Sequence, residues 1–192
     1  MSADYEYDVF LSYKRHELTL NWTRKVASML VLWLTEELNR PARVFIDESS
    51  IQIGQKWPDE IKHALKHSRC IVCIWSPSYF QSSWCVSEWK SFVDREKMGN
   101  PKPYTLIAPL RFHDGEHFPE EAKGVEWSDV TEYAFTMPAF WDSQRAIELE
   151  AKLKAFARSV ANIVSQAPAF DGNWPIVERD GSPAPSIPLA KL

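Results

Sequence analysis

Trp84 and Glu88 stand four residues apart in the stretch SSWCVSEW at 82–89, an indole and a carboxylate that share one face of any helix formed there. An acid beside an indole loses hydration, which raises its pKa, while a hydrogen-bonding ligand restores its charge. Such a carboxylate can stabilise a cationic centre; the plain alternative is a surface glutamate on an amphipathic helix. His63 and His67 have the i, i+4 spacing that can chelate a metal. Between them lie Ala-Leu-Lys, and the lysines at 62 and 66 oppose a cation, which favours a solvated helix face and no metal. Cys70-x-x-Cys73 matches a redox or metal spacing, but strand residues three apart point to opposite faces, so both read as core cysteines. No GxGxxG follows the first strand and no GxxxxGK[ST] occurs, so the familiar phosphate-cradling loops are absent.

These residues need elements to hold them. YDVFLS at 7–12 reads as a buried strand feeding the basic turn that holds Tyr13 and Arg15. A helical period runs over 20–39 and stops before Pro41. RVFID at 43–47 is a second strand, ending on Asp47. A helix at 57–67 follows, with Pro58 in its first turn and Asp59 and Glu60 near its positive end. CIVCIW at 70–75 is apolar on both faces, as in a central parallel strand. Then come a helix at 83–97, a strand at 104–110, a short possible strand at 125–127 and a long amphipathic helix at 143–165. Strands alternating with helices predict an α/β fold, a parallel sheet covered on both faces. Ligands bind beyond the carboxyl ends of such strands. That rule nominates residues 12–15, Asp47 and its loop, residues 76–79, and the start of the helix that carries Glu88.

The bulk numbers set the class. A chain of 192 residues, 45% hydrophobic and 25% charged, suits one globular domain with an appendage. The domain is expected over 1–167, with a Pro-rich tail over 168–192. A net charge of -4 and no basic patch argue against nucleic acid as a partner. The longest apolar run, within 26–34, is too short to cross a membrane. Three cysteines and an acidic, alternating start in place of a secretory signal point to the cytoplasm. The closing Ala-Lys-Leu is too short a match to a peroxisomal ending to outweigh that.

Three blocks together resemble a TIR (Toll/interleukin-1 receptor) domain: YDVFLSYKR at 7–15, FIDESSIQIGQKWPDEIKHALKHS at 45–68, and CIVCIWSPSYFQSSWCVSEW at 70–89. The resemblance implies a flavodoxin-like three-layer fold with about five parallel strands. The bacterial-type members that cleave NAD+ have a W-x-x-x-E helix, matched here by Trp84 and Glu88. By that resemblance Glu88 is the catalytic carboxylate and Trp84 an aromatic wall, with NAD+ as substrate and no further cofactor. Ser12, Tyr13, Arg15 and Asp47 are the other expected substrate contacts, Arg15 for the pyrophosphate. The products would be nicotinamide plus ADP-ribose, a cyclic isomer or another ADP-ribose-derived signal, in anti-phage defence with a partner sensor or effector. Self-association is expected through the glycine-bearing loop at 48–57, from Glu48 to Trp57, and through an apolar helix surface at 29–34, from Met29 to Leu34. Two rival readings are a non-catalytic TIR scaffold and a nucleoside-processing transferase.

Overall fold

The computed structural model describes residues 4–46, 59–99 and 105–178. Five strands, β1 (Tyr7–Tyr13), β2 (Val44–Ile46), β3 (Ser68–Trp75), β4 (Ile107–Arg111) and β5 (Ser128–Asp129), form one parallel sheet in the order β2-β1-β3-β4-β5. The helices are α1 (Glu17–Leu38), α2 (Asp59–Lys66), α3 (Pro77–Phe80), α4 (Ser83–Lys97), α5 (Glu120–Lys123) and α6 (Gln144–Gln166). This is the expected flavodoxin-like order, in which β1 and β3 lie side by side at the centre.

The period-2 alternation of β1 and β3 divides the core. Val9, Leu11, Cys70, Val72 and Ile74 face α1 and α6, whereas Phe10, Ile71, Cys73 and Trp75 face α2 and α4. Cys70 and Cys73 therefore lie in different layers, and both are buried free thiols. α6 covers much of the apolar surface at 29–34. Leu30 and Leu34 are fully buried, Met29 and Trp33 are partly buried, and Leu32 is exposed. α1 stops where Asn39 takes a left-handed conformation (φ 53°), one that asparagine tolerates better than most residues.

Some features differ from the sequence reading. The fifth strand lies at Ser128–Asp129 rather than at 125–127, paired to Leu110 and Arg111. α3 and α5 are single turns too short to generate a hydrophobic period. Residues 168–178 are irregular but packed. Trp174 is buried with the Arg95 guanidinium 5.1 Å from its ring, and the Val177 amide donates to Ser91 Oγ at 2.9 Å. Residues 179–192 lie outside the described residues.

The amino-terminal end of the sheet is held by buried charge. Asp8 accepts two hydrogen bonds from Arg40 (2.7 and 2.6 Å) and one from the Arg43 amide (2.9 Å). Burial works against its ionisation, but these donors hold its carboxyl below the usual range. Arg95 is wholly buried and donates to the carbonyls of Ser68 (2.8 Å) and Leu65 (2.9 Å), joining α2, β3 and α4. Burial lowers its pKa to about 10, leaving it charged at neutral pH.

Candidate active site

Glu88 lies in the second turn of α4, on the side turned to the sheet, and is 8% exposed. Its neighbours Cys85, Trp89 and Phe92 are buried, so the helix carries its carboxylate into an apolar interface at the carboxyl end of β1. A buried carboxylate without partners costs several kcal/mol. Here Ser12 supplies a partner, its Oγ donating to Glu88 Oε2 at 2.5 Å. Ser12 shares the β1 face of Phe10, the face turned toward α4, and is itself buried.

A second hydroxyl stands behind the first. Tyr79 Oη lies 2.8 Å from Ser12 Oγ and 3.1 Å from the Cys85 carbonyl. Because the single hydroxyl hydrogen of Ser12 goes to Glu88, the tyrosine hydrogen serves Ser12 Oγ and the Cys85 carbonyl. The series Tyr79, Ser12, Glu88 thus stabilises negative charge on the carboxylate. Local sequence builds this geometry. Ser76 caps α3 by accepting from the Tyr79 amide at 3.2 Å, and Pro77 sits in the first turn. That tight turn sends Tyr79 back beneath the strand end. Burial, then the neighbouring Cys73, Cys85 and Glu88, hold the phenol well above its ordinary pKa, so it remains a donor. Burial likewise pushes the Cys73 thiol up to about 12 and raises that of Cys85.

Of the remaining expected contacts, Trp84, Tyr13 and Arg15 lie among the described residues. Trp84 is half-buried one turn before Glu88, packed against the α2–α4 layer. Trp89 is buried instead, edge-on to Trp75 and Phe80, and serves packing. Tyr13 points to the face opposite Ser12, so the two do not share a wall. It lines a cavity of about 330 Å³ with Lys14, His16, Ser76, Ser78 and His113, and a second of about 440 Å³ beside α1 and β2. Arg15 is half-buried in the turn between β1 and α1. Asp47 and the loop at 48–57 lie outside the described residues. Sequence reasoning nominated residues 76–79 as a stretch but gave Tyr79 no role of its own. Its signal was Ser76-Pro77-Ser78-Tyr79, a cap and a first-turn proline that fix the direction of a tyrosine three residues on.

Comparison with known proteins identifies the family. Residues 9–143 match the TIR domain family model. The NAD(+) hydrolase TirS of Staphylococcus aureus (strain MSSA476) is 29% identical over 91 residues, 47% of this chain and 30% of that protein. The probable 2' cyclic ADP-D-ribose synthase BdTIR of Brachypodium distachyon is 27% identical over 143 residues, 71% of this chain and 60% of that protein. The disease resistance protein RPS6 of Arabidopsis thaliana is 27% identical over 96 residues, 50% of this chain but 8% of that protein. The chain thus spans less than two thirds of the length of each of these relatives. Among solved structures, the TIR domain of the Toll-related receptor TRR-2 from Hydra magnipapillata aligns with a TM-score of 0.43 at 16% identity. That alignment covers 76% of this chain and 98% of that one. The family match covers well over half the chain, and the protein belongs to the TIR domain family.

Proposed function

We propose that this chain cleaves the nicotinamide–ribose bond of NAD+, with Glu88 as the catalytic carboxylate. The observation that carries the reading is the buried Ser12–Glu88 hydrogen bond at the carboxyl edge of β1, backed by Tyr79. Nicotinamide in NAD+ is a cationic leaving group, and as the glycosidic bond stretches, positive charge moves onto the ribose. A fixed carboxylate stabilises that oxocarbenium-like state more than the ground state, which lowers the barrier. Nicotinamide departs neutral with the bonding electrons. Water then adds at the ribose carbon and releases one proton, giving ADP-ribose; attack by a group within the same molecule gives a cyclic isomer instead. Trp84 offers a flat apolar surface to the rings, and Arg15 a guanidinium for the pyrophosphate. The activities for which TirS and BdTIR are named support the reaction class.

Self-association through the loop at 48–57 and the surface around Leu32, and a role in anti-phage defence beside a sensor or effector protein, belong to the same proposal. A scaffold that only joins partners has no evident need for a carboxylate buried behind two hydroxyls. Incubating the purified protein with NAD+ and separating the products by chromatography tests the reading. Nicotinamide should appear in step with ADP-ribose or an isomer of cyclic ADP-ribose. Intact NAD+ at every protein concentration tried would overturn it.

A further inference from the structure

We propose that Glu6, His63 and His67 form a site for one divalent transition-metal ion of the zinc, nickel or copper class, at the opposite end of the sheet from Glu88. Glu6 immediately precedes β1 and Ser12 lies near its end, so the two sites stand roughly 20 Å apart along the strand. The ligand-capable atoms of the three side chains lie within 4.8 Å of one another. Tetrahedral zinc with bonds of about 2.1 Å needs donors roughly 3.4 Å apart. Glu6 and His63 are exposed and His67 is half-buried, so rotation of side chains can close that difference without moving backbone.

Hydrogen bonds already orient both rings. His67 Nδ1 lies 2.9 Å from the His63 carbonyl, which can only accept, so the proton sits on Nδ1 and the Nε2 lone pair remains for a metal. An imidazole held through its other nitrogen is the usual arrangement of a ligating histidine. His63 Nε2 lies 2.9 Å from Glu6 Oε1. A metal entering there displaces the proton between nitrogen and carboxylate, which leaves to solvent, and binds both. Two nitrogens and one carboxylate oxygen suit zinc, nickel and copper better than calcium or magnesium.

The Ala-Leu-Lys between the histidines supplies no ligand, and Lys62 and Lys66 oppose a cation. The fold changes that balance, because Lys62 pairs with Glu178 at 2.7 Å and Glu6 brings a negative charge into the cluster. Phe170 stacks on His67 at 4.9 Å and meets Tyr5 edge-on at 5.3 Å. A bound ion would therefore tie the start of β1 to α2 and, through Phe170, to the segment after α6, and would stabilise the folded chain by linkage.

Titrating the chelator-stripped full chain with zinc chloride and nickel chloride by calorimetry, alongside thermal unfolding, tests the site. One equivalent should bind saturably and raise the unfolding temperature. His67→Phe keeps a ring against Phe170 but removes the nitrogen, and Glu6→Gln keeps a hydrogen-bonding partner but removes the charge. Each should weaken binding about tenfold or more while unfolding like the parent without metal. No saturable binding, or unchanged affinity in both variants, would overturn the proposal.

Discussion

At the scale of single residues, the account rests on two hydroxyls in series behind one carboxylate. The Ser12 hydrogen bond to Glu88 is charge-assisted, a class worth about 1.5–3 kcal/mol. Ser12→Ala should therefore lower kcat for NAD+ cleavage by about 10- to 100-fold. Tyr79→Phe keeps the buried ring and removes one neutral hydrogen bond, so a loss of about three- to tenfold is expected. Steady-state kinetics check both; a Ser12→Ala enzyme with full kcat would remove Ser12 from the site. The helix that carries Trp84 and Glu88 one turn apart was legible in the sequence because helical spacing is local. Ser12 could be nominated only by its place at a strand end. Its pairing with Glu88 joins residues 76 apart, and no local pattern contains that.

At the scale of elements, strands and long helices were readable because each repeats a pattern over many residues. α3, α5 and the shifted β5 were not, being two to four residues long and set by capping and by pairing with β4. The buried charges were also hidden, since Asp8 and Arg95 look like ordinary surface residues until β1 and α4 turn them inward. Arg40→Ala leaves Asp8 short of its bidentate donor, with Arg43 and Arg69 still near. Unfolding free energy at pH 7 should fall by about 2 kcal/mol. Because the folded pKa of Asp8 is depressed, its contribution is full above about pH 4 and is lost as pH falls through the folded value. Urea unfolding at pH 7 and in acid should thus show the two proteins converging as the pH drops. The thiols give a second check. Burial raises the pKa of Cys70, Cys73 and Cys85, Cys73 to about 12. A thiol reagent at pH 8 should label none of the three until guanidinium unfolds the chain; rapid labelling of native protein would contradict this packing.

At the scale of the whole molecule, the two ends of the sheet do different work. The carboxyl end gathers Ser12, Tyr79, Trp84 and Glu88, whereas the amino end is fastened by Asp8, Arg95 and the segment after α6. Composition marked residues beyond 167 as tail-like, because proline, glycine and aspartate carry no helical or strand period. It could not reveal that Trp174 covers Arg95, a contact made only once α4 and α6 are in place. Trp174→Ala should cost about 3 kcal/mol of stability, read as a lower unfolding temperature, with little effect on kcat measured well below it. A variant as stable as the parent would mean this segment does not fasten the domain.

The most direct test compares nicotinamide release from NAD+ by the parent protein and by Glu88→Gln, at equal concentration and with matched circular dichroism. Glutamine keeps the shape and an acceptor for Ser12 but removes the charge proposed to stabilise the ribosyl cation. The account predicts a folded variant that releases no detectable nicotinamide while the parent turns over. Undiminished release by a well-folded Glu88→Gln protein would contradict it.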